Sequence, residues 1–387
     1  MKKKIAILGS TGSIGKTLIE IIKKDKKNFE IVLLSADGNY KELLKQAKLF
    51  KVKNLIITNK DSYKKIKAKK ISSKIKIFNS FESFKKIFKK KIYYTMSSIS
   101  GIEGLKPTIE MIKYTKNIAI ANKEAIICGW NIIEKELKKN KTNFIPVDSE
   151  HFSIWYALKG IDKKIIDQIY LTASGGPFLY YPKKKFNKIK MRQAVKHPNW
   201  KMGKKISIDS ATMMNKVFEI IEAKKIFNIS YKKLSIIIHP KSYVHAILKF
   251  KNGLTKLVVH DTNMKIPIFN SLYSSNHNIN SNKLDLSILN NLNFQNIDLK
   301  RFPMLRILNK LPEKSSLFET VLVSINDKLV NLFLANRIKF TDISKKMNNM
   351  LELIEFKKFK KLKVKNIEDI ISLNKKVEIK IKDIIEK

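Results

Sequence analysis

The sequence predicts an α/β protein that ends in an all-helical segment. Three observations carry this. A buried-strand run at residues 4–8 (KIAIL) meets the glycine-rich stretch Gly9-Ser10-Thr11-Gly12-Ser13-Ile14-Gly15, and a helical run follows over 16–24. Further strand-like runs then alternate with Lys-rich helical stretches, as a parallel sheet requires. From about residue 300 onward the periodicity is helical and glycine is absent.

The chain has 387 residues, enough for two or three domains, and its 44% hydrophobic content is globular. Its 79 Lys+Arg against 33 Asp+Glu give a formal charge of +46. That balance suggests polyanion binding or attraction of a small anionic substrate. The excess is nearly all Lys, spread from end to end beside abundant Ile, Asn and Phe, which AT-rich codons also produce. Cys128 is the only cysteine, so no disulfide framework or thiolate metal site forms, and a reducing cytoplasm fits. No apolar run reaches the ~18 residues of a membrane span. MKKKIAIL begins like a signal peptide, but its apolar part stops at the glycines, and a strand is expected instead.

Strand, glycine turn and helix form the first unit of a Rossmann-like dinucleotide-binding domain, expected over 1–147. There the glycines admit a pyrophosphate to the helix N-terminus. The spacing is GxxGxxG, and a plain tight turn has the same composition. A second strand at 30–35 ends in Ala36-Asp37-Gly38-Asn39, where such folds read the adenosine ribose. Runs at 54–58 and 75–78 continue the sheet, and the Lys-rich stretch 60–91 carries no chemistry. The strand at 117–121 ends in Asn122-Lys123-Glu124, polar residues at the ligand crevice of an open sheet.

An α+β catalytic and dimerisation domain is expected over 148–273. In FIPVDSEH, Asp148 and Glu150 sit two apart; in extended chain both carboxylates project to one side and suit one hard cation. A solvated loop holds the same pair equally well, and His151 reads as structural. Ser174-Gly175-Gly176 after the strand 169–173 fits an anion nest or a turn. His197-Pro198-Asn199-Trp200-Lys201-Met202-Gly203 places large apolar groups in a loop, as a lid would. His239 and His245 are expected to be structural, and Asn252-Gly253 to turn a hairpin. Residues 208–223 read as one helix with Asp209 and Ser210 at its N-cap. Met213, Met214, Val217, Phe218, Ile220 and Ile221 face a core. Thr212, Asn215, Glu219 and Glu222 line the opposite face, with Lys216 at its edge. A solvated surface helix carries such residues, and so does a phosphate-and-metal site. A Ser/Asn/Asp-rich linker (274–299) leads to a helical bundle over 300–387, with helices at 303–311, 316–336, 341–355 and 367–386.

Taken together, GSTGSIG, ANKE, VDSEH, SGGPF and HPNWKMGKKISIDSATMMNK resemble the 1-deoxy-D-xylulose 5-phosphate reductoisomerase family across essentially the whole chain. The resemblance implies a homodimer that uses NADPH and Mg²⁺ or Mn²⁺ on a small sugar phosphate, with no nucleic-acid or membrane partner. It implies rearrangement and reduction of 1-deoxy-D-xylulose 5-phosphate to 2-C-methyl-D-erythritol 4-phosphate, in isoprenoid precursor synthesis. Asp148, Glu150 and Glu219 are implied as metal ligands. Lys123, Ser149, Glu150 and His197 are implied as catalytic, and the first three also touch substrate. Ser174, His197, Ser210, Asn215 and Lys216 would hold the phosphate, with Glu219 and Trp200 also at the substrate. Thr11, Gly12, Ser13, Ile14, Gly38, Asn39, Asn122, Lys123, Glu124, Met202 and Gly203 would line the cofactor.

The chain departs from the family pattern in places. Asp37-Gly38-Asn39 lacks the usual basic or hydroxyl residue before Asn, and Asp37 opposes a 2′-phosphate. Val217 replaces a usual Gly, Lys241 a usual Gln and Asn263 a usual Asp. The usual NAANE reads Val323-Ser324-Ile325-Asn326-Asp327. Two other readings compete. A simple NAD(P)-dependent dehydrogenase needs no metal set. A nucleic-acid-binding protein needs basic clusters interleaved with exposed aromatics, which the sequence lacks.

Overall fold

The computed structural model describes residues 1–69, 73–200, 202–273 and 277–386. Lys201 of the lid motif and residues 274–276 of the expected linker lie outside them. The chain folds as two compact units. Met1–Ile126, Ile132–Asp148 and Met264–Asn280 form the first; Ile127–Asn131, Ser149–Asn263 and Ser281–Lys387 form the second. The first unit therefore takes in a segment from well beyond residue 148.

The first unit is a seven-stranded parallel sheet in the order β4-β3-β2-β1-β5-β6-β7. Its strands are β1 (Lys3–Leu8), β2 (Phe29–Ala36), β3 (Asn54–Ile57), β4 (Lys76–Phe78), β5 (Ile92–Ser97), β6 (Thr115–Ile120) and β7 (Asn143–Pro146). Helices α1 (Ser13–Lys23), α2 (Tyr40–Phe50), α3 (Lys60–Lys67), α4 (Leu105–Ile112) and α5 (Lys123–Lys139) connect them. The strands run nearly continuously apolar, as a sheet covered on both faces demands: Ile5, Ala6, Ile7 and Leu8 are fully buried. Strand order reverses between β1 and β5, and ligands of open parallel sheets bind at such a reversal. The helix Lys265–Leu272 returns to this unit, where Tyr94 and Ser271 share a buried 2.7 Å hydrogen bond.

In the second unit α6 (Ser149–Ala157) opens the long segment from Ser149 to Asn263. Its four-stranded sheet has the order β11-β10-β8-β9, from β8 (Ile166–Ala173), β9 (Leu234–Ile238), β10 (Val244–Phe250) and β11 (Thr255–Val259). β10 and β11 form the expected hairpin, with Gly253 at φ +86°. The mixed sheet packs on a core that includes Ile154, Leu171, Ile220 and Phe227.

The stretch 208–223 is not one helix. It divides into α7 (Lys204–Thr212) and α8 (Met214–Phe227), with Met213 between them in the left-handed region at φ +65°. Asp209 and Ser210 therefore sit inside α7 rather than at a helix start. A long side chain in that region is strained, and it persists because Met213 is buried and held. The helical period read correctly on both sides, but it carries no signal for one reversed φ. The opposite face is also not solvated: Thr212, Lys216, Glu219 and Glu222 are all buried.

The C-terminal helices α9 (Phe318–Leu334), α10 (Phe340–Glu352) and α11 (Ile367–Glu386) pack together. Pro303–Lys310 is a 3₁₀ segment rather than the expected α-helix. Residues 286–289 form one short helical turn, and Gln295 bridges to Ile238. No helix among the described residues is long and apolar enough to cross a membrane.

Candidate active site

In the first unit the nucleotide end is built mostly from backbone. Gly9 has φ +80°, and a Cβ there would lie 2.6 Å from the Ser98 carbonyl oxygen. A Cβ on Gly15 would lie 2.5 Å from the Ser10 Cα. Both positions exclude a side chain for steric reasons. Gly12 meets only an ordinary 3.5 Å contact, so packing does not require its missing side chain. It is instead the N-cap of α1, with no side-chain cap bond, and leaves the first helical N–H groups open to an anion. The turn is pinned from two sides: the Ser10 N–H donates to the Ser35 carbonyl at 2.8 Å, and Gln46 donates to the Ser10 carbonyl at 3.0 Å.

Asn39 caps α2 by accepting from the Glu42 N–H at 3.2 Å. Asn122 caps α5 by accepting from the Ala125 N–H at 2.9 Å, while its NH₂ donates to the Ile99 and Gly101 carbonyls. Its side chain thus ties the ends of β5 and β6 together. Lys123, one-tenth exposed, pairs with Asp148 at 2.7 Å.

In the second unit the site is built from buried charge. Glu150 lies in the first turn of α6, so the extended-chain geometry expected for Asp148 and Glu150 does not apply. Ser149 donates to Glu150 at 2.7 Å. The Lys216 ammonium lies between Glu150, at 2.8 Å, and Glu219, and donates also to the Thr172 carbonyl at 2.6 Å. Burial pulls Lys216 down, but the two carboxylates outweigh it and hold the ammonium above its ordinary range. The Asn215 amide donates to Glu219. Sequence reasoning set Lys216 apart from the carboxylates as a phosphate ligand; here it bridges two of them.

Ser174 and His197 meet at 3.0 Å. His197 Nδ1 accepts from the Asn199 and Trp200 N–H groups at 3.1 and 3.0 Å, so Nε2 carries the proton and donates to Ser174. Burial, then the Lys216 charge, lowers His197 to about 4, so a neutral donor faces the site. Gly176 has φ +64°, and a Cβ there would lie 3.0 Å from the Ser210 carbonyl. The Ser174-Gly175-Gly176 turn is thereby brought against Ser210. Met202 is half-buried and Gly203 exposed, at the start of α7.

Some residues were missed. Asp209 accepts from Asn326 at 2.8 Å, and Lys205 pairs with Asp209 at 3.4 Å and Asp327 at 2.9 Å. This joins the α9 departure from NAANE to the helix that carries Ser210. Glu222 is 3.9 Å from His151, whose Nε2 donates to the Glu219 carbonyl. His245 stacks on His260 with ring centroids 3.7 Å apart, and Trp200 meets His245 edge-on at 6.0 Å. Apart from Lys205–Asp209, four apart on α7, no local spacing announces these pairs, because their partners are distant in sequence.

A parallel sheet with a nucleotide turn, and a second unit with a cluster of ammonium, carboxylates, serine and neutral histidine, are the parts of a dinucleotide-dependent α/β enzyme for a small anionic substrate. Comparison with known proteins narrows this. Residues 5–129 match the model of 1-deoxy-D-xylulose 5-phosphate reductoisomerase, residues 144–227 its C-terminal domain, and residues 260–379 the DXP reductoisomerase C-terminal domain. The 1-deoxy-D-xylulose 5-phosphate reductoisomerase of Pelagibacter ubique (strain HTCC1062) is 59% identical over 382 residues, 98% of each chain. That of Wolbachia pipientis wMel is 40% identical over 356 residues, 90% of each chain. The Zymomonas mobilis enzyme in complex with NADPH superposes with a TM-score of 0.88 at 27% identity, covering 100% of both chains. A DOX-P reductoisomerase in complex with NADPH, fosmidomycin and magnesium gives 0.90 at 30% identity, covering 99% of this chain and 98% of that one. The chain belongs to the 1-deoxy-D-xylulose 5-phosphate reductoisomerase family.

Proposed function

We propose that this chain converts 1-deoxy-D-xylulose 5-phosphate to 2-C-methyl-D-erythritol 4-phosphate, using NADPH and a divalent cation, in isoprenoid precursor synthesis. One observation carries the reading beyond the family match. Glu150 and Glu219, 69 positions apart, converge on one cation, the Lys216 ammonium. An all-oxygen set of this kind suits Mg²⁺ or Mn²⁺, with Asp148, two residues before Glu150, as the third ligand. When bound, the cation supplies Lewis-acid polarisation of the substrate's oxygens. The uncapped start of α1 and the closely packed Gly9 and Gly15 support NADPH, which supplies hydride.

The protein's own side chains then bind and orient. Ser174, Ser210, Asn215 and neutral His197 donate to the substrate phosphate. Lys216, whose ammonium is held between Glu150 and Glu219, would supply positive charge to the same phosphate. Binding energy from that remote group orients the reacting end. Ser149 and Lys123 hydrogen-bond substrate hydroxyls, and the Lys123–Asp148 pair keeps an ammonium there to move a proton. Trp200 covers the substrate, with Met202 and Gly203 beside the nicotinamide. Thr11, Gly12, Ser13, Ile14, Gly38, Asn39, Asn122 and Glu124 hold the rest of the dinucleotide. A homodimer, as the family resemblance implies, and a cytoplasmic location, in keeping with one buried cysteine, complete the proposal.

The test is NADPH oxidation with purified 1-deoxy-D-xylulose 5-phosphate, with and without divalent metal, and identification of the product. Metal-dependent turnover to 2-C-methyl-D-erythritol 4-phosphate is expected. Well-folded, metal-loaded protein with no turnover overturns the reading.

A further inference from the structure

We propose that Asp37 sets the dinucleotide specificity of this chain, and that NADH is bound nearly as tightly as NADPH. The inference rests on the cofactor reading above and goes beyond it. Asp37 directly follows β2, whose last residues are locked to the glycine turn. Ser35 takes the Ser10 N–H on its carbonyl and the Gly9 N–H on its hydroxyl at 3.0 Å. The end of β2 therefore sits at a fixed position beside the start of α1, where the adenosine ribose lies in this fold. An acidic residue there accepts from the ribose 2′-hydroxyl, whereas a 2′-phosphate asks for a basic one.

The carboxylate is held in place: Thr58 donates to Asp37 Oδ1 at 2.8 Å, and the Asn59 N–H donates to the Asp37 carbonyl at 3.2 Å. The next residue, Gly38, offers no side chain to a phosphate. Its own carbonyl accepts from Ser62 at 2.9 Å. Lys41, the basic residue nearest in the chain, and Lys60, which follows Asn59, are exposed. Screened charges of that kind add little beside a carboxylate touching the ribose. Gly38 also supplies a test by gain. A Cβ there would meet only the Ser62 hydroxyl, at 3.7 Å, so a side chain can start there without displacing a neighbour.

The experiment is direct titration of the full chain with NADPH and with NADH, read by nicotinamide fluorescence at one fixed ionic strength. NADH is expected to bind within about tenfold of NADPH, and Asp37→Ser to shift the ratio toward NADPH by about tenfold, the worth of one charge-assisted hydrogen bond. Gly38→Arg should shift it the same way by tightening NADPH. Far-UV circular dichroism confirms that each variant is folded. A wild-type preference for NADPH above about tenfold, or a ratio that Asp37→Ser leaves unchanged, overturns the assignment. Binding of neither dinucleotide overturns the cofactor reading itself, and this assignment with it.

Discussion

The two units build their sites from different materials. The nucleotide end of the first is largely backbone: a glycine turn, an uncapped helix start and the ends of parallel strands. Its shape depends on where side chains are missing, at Gly9 and Gly15. The site of the second draws side chains from five separated places, at 150, 174, 197, 210 and 216–219, around the buried Lys216 ammonium and Glu219 carboxylate. There the carboxylates hold the ammonium charged, and burial together with that ammonium keeps the histidine neutral. A backbone site tolerates drift in composition as long as glycine stays where no Cβ fits. A charge cluster tolerates little, because removing one member strands another in a low dielectric.

That contrast gives tests in order of size. Glu219→Gln should lower turnover by at least about a thousandfold, since the cation then lacks a ligand worth several kcal/mol. NADPH binding to the first unit should be unchanged. A parallel loss of NADPH binding, read by fluorescence titration, would break the separation of the two sites. Lys216→Ala should destabilise the fold by about 3–5 kcal/mol in denaturant unfolding, because it leaves Glu150 and Glu219 facing each other unneutralised. Gly15→Ala should cost about 1–3 kcal/mol through overpacking, whereas Gly12→Ala should cost under about 1 kcal/mol and still weaken NADPH binding.

The smallest effect concerns pH. His197 has a folded-state pKa of about 4 against an ordinary 6.5. Between those values the unfolded chain takes up a proton that the folded chain refuses, so stability falls as pH falls through that window. His245, lowered to about 3 by burial and then by His260, acts in the same direction. His197→Gln should therefore flatten, without abolishing, the loss of stability between about pH 6.5 and 4. A steeper loss in the variant would contradict the neutral assignment.

The first unit was largely legible in the sequence. Strand runs, the glycine turn and polar strand ends are local patterns, and β1 to β4 and β6 fall close to where they were expected. The second was legible in residue types but not in arrangement. Periodicity located Lys216 and Glu219 on one polar face, yet gave no means of telling a buried face from a wet one. It passed over the reversal at Met213, which a single dihedral makes. It placed Glu150 in extended chain, although α6 begins one residue earlier. The Asp209–Asn326 and His245–His260 pairs depend on segments brought together only by the tertiary fold. The family resemblance supplied the ligand roles that spacing left open.

The claim at the centre of this account is that Glu150 and Glu219 form a cation site that Lys216 fills from within the protein. Titration with Mn²⁺, followed by electron paramagnetic resonance of the free ion, tests it directly. Wild-type protein should bind one Mn²⁺ per chain, Glu219→Gln should bind at least about tenfold more weakly, and Lys216→Met should bind more tightly than wild type because the competing ammonium is gone. Equal Mn²⁺ affinity in all three proteins would contradict it.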